Sequence, residues 1–281
     1  EIVSPPEEAM HFTEKLVYLP GCYQTTNDHQ VISEHCFTRH EVGLPPDALV
    51  FCSFNAHYKI DQVMFDLWLR LLKAVPGSVL WLLQGSDIAK LALRNTAKLR
   101  GIDPNRLYFA PIANKEVHLG RLKLADIALD TRICGGHTTT SDALWVGIPV
   151  ITCRGRHFAS RVATSVLTAM GLNQCIAESL EEYESLAISL ATNQDRLSGL
   201  KNLLNIPHYK LEFQNFIEDD EILEVDLFGW DAPLYNDFSN GDFDVNEMKL
   251  SSNGIYSKDK HLLDLLFNIK NRQTLPLIAA K

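Results

Sequence analysis

The densest concentration of chemically capable residues is Cys134-Gly135-Gly136-His137-Thr138-Thr139-Thr140-Ser141-Asp142. Glycines let a ligand approach the backbone closely, and hydroxyls beside the free N–H groups of a helix start can hold an anion. The segment reads as a phosphate cradle or as an ordinary N-cap in which Thr138 or Thr139 satisfies the first turn. It has neither the Gly-Lys-Ser/Thr ending of a P-loop nor the Gly-x-Gly-x-x-Gly of a dinucleotide loop. A second cluster, Asn55-Ala56-His57-Tyr58-Lys59-Ile60-Asp61, offers a lysine that either neutralises a diphosphate as a point charge or is solvated in a loop. In the third, Lys115-Glu116-Val117-His118-Leu119-Gly120-Arg121, His118 and Arg121 share a helical face with Lys115 one turn earlier, a pattern that also suits plain surface charge.

The elements that must position these clusters alternate. Ala48 to Phe54 is a continuous apolar run of the kind buried on both faces, and Asp61 to Ala74 follows with helical periodicity. The alternation continues through strand Ser78 to Leu83, helix Asp87 to Leu99, strand Leu107 to Phe109 and a helical turn from Lys115 to Leu122. Strand Ala125 to Leu129, helix Thr138 to Val146, strand Pro149 to Thr152, and helices Ala159 to Met170 and Ser179 to Thr192 complete it. Repeated strand-helix units predict an α/β fold with a doubly wound, Rossmann-like parallel sheet, whose ligands bind beyond the carboxyl ends of the strands. The three clusters lie in or just after such loops. Residues 1–47, broken by Pro5, Pro6, Pro20, Pro45 and Pro46, read as a connector, 48–205 as the lobe, and 206–281 as an acidic, poorly ordered tail with one short helix at 262–269.

Composition narrows the function classes. The 281-residue chain carries a net charge of -9, but the tail holds 14 acidic against 7 basic residues and so accounts for -7 of it. A near-neutral lobe without a basic stripe argues against nucleic-acid binding. Six cysteines scattered singly fit neither a zinc site nor a disulfide framework and read as reduced thiols. No apolar run reaches the roughly 18 residues of a membrane span, and the acidic, proline-broken start is unlike a signal peptide. These features predict a cytoplasmic location. The start at Glu1, without an initiator Met, suggests a piece of something longer.

Taken together, Asn55 to Asp61, Gly101 to Phe109, Leu124 to Thr131, Gly136 to Trp145 and Ala159 to Ala163 resemble the O-linked N-acetylglucosamine transferases, most closely members with upstream tetratricopeptide repeats. The resemblance implies the C-terminal half of a two-lobed GT-B glycosyltransferase, inverting and metal-independent, that moves N-acetylglucosamine from UDP-GlcNAc to Ser or Thr of proteins. It implies no cofactor. By the same similarity Lys59, with Tyr58 beside it, serves the diphosphate and the chemistry. His137, Thr138 and Thr139 hold phosphate oxygens, Asp142 meets the ribose, and Ala113, Lys115, His118 and Arg121 line the uridine pocket. Ala56 and His57 stand where many relatives have a Gln, Asn114 where a Pro is common, and an N-terminal lobe carrying the acceptor-side groups is expected elsewhere. The alternatives are a fucosyl- or glucosyltransferase of the same fold, or a non-catalytic nucleotide-binding remnant. Asp242-Phe243-Asp244 has the spacing of metal-binding carboxylates in another glycosyltransferase class, but it lies in the tail, far from any strand-end crevice, and no metal site is expected.

Overall fold

The computed structural model describes residues 1–13, 15, 16, 18, 21–24, 26 and 29–205, together with the backbone of three short strands between 223 and 257. The chain divides into two compact units, one of Gln30–Tyr209 with Ile2, the other of Glu1, Val3–His29 and Lys210–Lys281. In the first, β1 (Val50–Ser53), β2 (Val79–Leu83), β3 (Leu107–Ala110), β4 (Ile127–Leu129), β5 (Val150–Cys153) and β6 (Ile176–Ala177) form one sheet in the order β3-β2-β1-β4-β5-β6, with every pairing parallel. This is the doubly wound order, and its direction reverses between β1 and β4. The loops that leave those two strands carry the lysine cluster and the glycine-threonine cluster.

Helices α1 (Gln62–Ala74), α2 (Asp87–Leu99), α3 (Lys115–Leu122), α4 (Thr138–Trp145), α5 (Phe158–Ala169), α6 (Leu180–Thr192) and α7 (Gln194–Leu204) connect and cover the strands. All four residues of β1 are buried, as a strand covered on both faces requires. Asp61 caps α1 by accepting from the Val63 and Met64 N–H groups, and the helix buries Met64, Phe65, Leu67, Trp68, Leu71 and Leu72. Between residues 48 and 205 the strands and helices expected from periodicity are all present, several with shifted ends. Two elements were not expected: β6, too short to show a period, and α7, capped by Asn193 and burying Leu197, Leu200 and Leu204.

Residues 30–47, read from the sequence as connector, belong to this unit, and one arginine makes most of their side-chain hydrogen bonds to it. Arg39 donates to the Pro46, Ala48 and Leu124 carbonyls at 2.9, 2.6 and 3.2 Å and to Asp126 Oδ2 at 2.9 Å. Asp126 also accepts from the Val50 N–H at 2.9 Å and from Lys201 Nζ at 2.8 Å. One carboxylate therefore ties the connector, β1 and α7 together below the amino ends of the strands.

In the second unit, a 3-10 turn spans Pro6–His11, and β7 (Leu223–Val225), β8 (Lys249–Ser251) and β9 (Gly254–Ser257) form an antiparallel sheet in the order β7-β9-β8. The sequence did not suggest these strands. The short helix expected at 262–269 and the 242–244 carboxylates lie outside the described residues, as does most of the region expected to be poorly ordered. Among the described residues no helix is long and apolar enough to cross a membrane.

Because Arg39 makes four hydrogen bonds that its removal would leave unmade, Arg39→Ala is expected to cost about 2–3 kcal/mol in urea unfolding. It should also open the segment before β1 to proteolysis.

Candidate functional site

Leu129 ends β4 and is followed by Asp130, a carboxylate that is wholly inside the protein. It accepts from the Gly136 N–H at 2.6 Å, from Thr152 Oγ1 at 2.7 Å and from Asn55 Nδ2 at 3.3 Å. These donors come from the loops or ends of three different strands. Burial pushes its pKa up, and the bonds from Thr152, Gly136 and Asn55 pull it back. Asn55 also donates to Thr131 Oγ1 at 3.0 Å and accepts from Thr139 Oγ1 at 2.7 Å, while Thr131 Oγ1 donates to the Cys134 carbonyl at 2.7 Å. Gly136 sits where this network converges. A Cβ there would come within 2.6 Å of both the Thr139 and Thr140 hydroxyls, so no larger residue fits without displacing those hydroxyls and breaking their hydrogen bonds to Asn55 and to the Gly136 carbonyl.

The network sets the N-terminus of α4. His137 is its N-cap, and no side chain caps the helix, whereas Asp61, Ser86, Asn114, Ser179 and Asn193 cap α1, α2, α3, α6 and α7. The ordinary N-cap reading, with Thr138 or Thr139 in that role, is therefore set aside: both lie inside the first turn, and the Thr139 hydroxyl turns inward to Asn55. What remains at the helix end is a set of N–H groups carrying the positive pole of the dipole. Lys59, on the 3-10 turn His57–Lys59 after β1, brings its ammonium to this spot and donates to the Gly135 carbonyl at 2.8 Å. Desolvation first, and the Lys59 charge second, lower the pKa of His137, which is thereby kept neutral.

The third cluster closes on the same end of the sheet. Asn114 caps α3 by accepting from the Val117 N–H at 3.0 Å, which is what an Asn does well at this position. Phe54, at the end of β1, holds the His118 ring edge-on at 4.9 Å and the Arg121 guanidinium over its face at 5.8 Å. Arg121 is 4% exposed, its Nε has no hydrogen-bond partner, and burial lowers its pKa. Among the described residues no carboxylate pairs with this guanidinium; supported only by a ring face it is costly to bury, and an incoming polar ligand would relieve that cost. The His118 pKa is pushed down to about 4, by burial first and then by Arg121 and Lys115. Lys115 reaches across to Asp142 on α4 in an ion pair, so the residues expected at uracil and ribose bind each other. Ala113 is half-buried in the loop ahead of α3.

Of the ten residues expected at the site, Lys59 reaches the α4 terminus formed by His137, Thr138 and Thr139, Lys115 pairs with Asp142 of α4, His118 and Arg121 lie against Phe54, and Ala113 stands in the loop ahead of α3. Tyr58, on the same 3-10 turn as Lys59, is 83% exposed. His57 turns away to bond the Leu83 carbonyl through Nε2 at 2.6 Å. Asn55, Asp130 and Thr152 received no role from the sequence. A carboxylate directly after a wholly apolar strand was the available signal, because such a group must find donors. Among the described residues no group of three or more His, Cys, Asp or Glu is arranged to hold a metal ion.

Residues 33–213 match the model of glycosyl transferase family 41. A probable UDP-N-acetylglucosamine–peptide N-acetylglucosaminyltransferase of Arabidopsis thaliana, SEC, is 41% identical over 207 residues, covering 71% of this chain and 21% of its own length. The UDP-N-acetylglucosamine–peptide N-acetylglucosaminyltransferase of Caenorhabditis elegans is 44% identical over 164 residues, 58% of this chain and 14% of its own. The chain thus spans about a fifth or less of the length of these two curated relatives. Among solved structures, a mutant O-GlcNAc transferase of Thermobaculum terrenum superposes with a TM-score of 0.66 at 26% identity, over 76% of this chain and 40% of that one.

The depressed His118 pKa has a consequence for stability. The unfolded imidazole takes up its proton near 6.5 and the folded one only near 4, so between those values the unfolded chain binds more protons. Stability should fall as the pH is lowered through that window, and His118→Leu should flatten this part of the curve in urea unfolding measured stepwise across it. A variant that keeps the wild-type slope would show that another group is responsible.

Proposed function

From the premise that the chain belongs to glycosyl transferase family 41, we propose that it supplies the donor-binding half of an enzyme that transfers N-acetylglucosamine from UDP-GlcNAc to Ser or Thr hydroxyls of proteins. The observation that carries this reading is the convergence of the Lys59 ammonium and the uncapped α4 N-terminus at one point beside Gly135. A leaving nucleoside diphosphate needs positive charge already in place, and a cation and a helix dipole that do not have to reorganise are the cheapest source of it. In this reading Lys59 meets the diphosphate as its negative charge grows. His137, Thr138 and the N–H of Thr139 present donors to the phosphate oxygens.

The nucleoside lies along α3. Arg121 and the neutral His118 frame the base, with Ala113 beside them, and Asp142 exchanges the Lys115 ammonium for ribose hydroxyls. Transfer inverts the anomeric carbon: the acceptor oxygen forms its bond to that carbon as the bond to the diphosphate oxygen breaks, and the acceptor proton passes to a base. No metal ion or other cofactor has a part in this scheme, because Lys59 and the helix terminus supply the charge. The partners are UDP-GlcNAc and protein acceptors, with no role for nucleic acid. A cytoplasmic location suits the free thiols, since burial raises the Cys52 and Cys175 pKa values and makes both poor nucleophiles.

Calorimetric titration tests the assignment. The chain should bind UDP more tightly than GDP, and Lys59→Met should weaken UDP binding by about tenfold to a hundredfold while leaving the melting temperature nearly unchanged. Preference for GDP would point to a fucosyltransferase, and unaltered affinity in Lys59→Met would remove that lysine from the diphosphate site. UDP binding without transfer of N-acetylglucosamine to peptide would mean that the chain needs groups it does not contain.

A further inference from the structure

We propose that Asn55 and Asp130 are positioning residues, and that the Thr139 hydroxyl serves as the latch through which they hold the N-terminus of α4 against the end of β1. The inference rests on the donor-site reading but concerns a division of labour within it: Thr138 is free to meet a ligand through its side chain, and Thr139 is not. Three observations support it. Thr139 Oγ1 donates to Asn55 Oδ1 at 2.7 Å, which commits the only proton of that hydroxyl to the protein. Asn55 cannot flip to release it. Its amide donates to Asp130 and Thr131, and turning the group over would set the Asn55 carbonyl against the Asp130 carboxylate and against Thr131 Oγ1, whose own proton is given to the Cys134 carbonyl. Finally, Asp130 holds the other end of the same turn through the Gly136 N–H at 2.6 Å, so both sides of the helix start are fixed by one buried unit.

The consequence is mechanical. Asn55 precedes Lys59 by one 3-10 turn, so the residue that fixes the α4 N–H groups also fixes the base of the loop that carries the cation. Lysine and helix terminus are then held as a pair. Losing the latch should loosen both together, where a residue acting on the ligand alone would leave the turn in place.

Hydrogen exchange on the full chain reads the latch without any nucleotide. Exchange of the Gly136, Thr140 and Ser141 amides should rise about tenfold in Thr139→Val and return to the wild-type rate in Thr139→Ser, which keeps the hydroxyl. Wild-type exchange in Thr139→Val would overturn the proposal, and this pair remains informative even if Asn55→Ala fails to fold. Where Asn55→Ala folds, UDP affinity completes a double-mutant cycle. Losses in Asn55→Ala and Thr139→Val that do not add are expected, while additive losses would mean that the Thr139 hydroxyl meets phosphate directly and would also overturn it. A wild-type chain that binds no UDP would count against the transferase reading, and the exchange measurement would still decide the latch.

Discussion

A carboxylate at the end of a buried strand has to be surrounded by donors, and in this protein the donors of Asp130 come from wherever the sheet needs organising. An isolated charge in a low-dielectric interior costs far more than a folded domain has to spare, so the group persists only if each oxygen is met. Oδ1 takes the Gly136 N–H and the Asn55 amide, and Oδ2 takes Thr152 Oγ1. Its own backbone carbonyl takes the Tyr183 hydroxyl at 3.1 Å, and Trp68 Nε1 in turn donates to that hydroxyl at 3.4 Å. One residue thereby connects the loops of β1, β4 and β5 to the helices behind them. The geometry at the strand ends follows from satisfying it.

The cations are arranged by the same economy. The lobe is close to neutral overall, yet Lys59, Lys115 and Arg121 crowd one end of the sheet. Each has a partner that a ligand could replace: a carbonyl for Lys59, a carboxylate for Lys115, a ring face for Arg121. A site built this way can hold concentrated positive charge without a ligand. In the proposed function, an anion with hydroxyls exchanges these internal contacts for external ones of similar kind, so little has to be reorganised in order to bind.

Most of the fold was legible because burial on both faces writes continuous apolar strands, and helix caps such as Asp61 and Ser86 mark boundaries. The clusters at Lys59, Lys115 and Thr138 could be found because they combine unusual residue types in strand-end loops. What the sequence hid was of two kinds. β6 is two residues long, below any period, and its existence is settled by pairing with β5. Asn55 and Asp130 are distant in sequence and look ordinary singly, and their importance comes from being brought within 3.3 Å of each other. Pattern reading assigns residues to elements, but it does not say which buried polar groups will meet.

The histidines show why local charge matters more than composition at such a site. His118 and His137 are partly buried, and each faces fixed cations, Arg121 and Lys115 in one case and Lys59 in the other. Desolvation and like charge act in the same direction, so both rings stay neutral where an exposed histidine would begin to charge. A neutral imidazole still has one N–H to donate, and it adds no further positive charge to a place already crowded with it. The cations therefore do two things at once. In the proposed reaction they supply the field that an anionic leaving group requires, and they hold the neighbouring rings in the uncharged form in which those rings can donate without adding to that field.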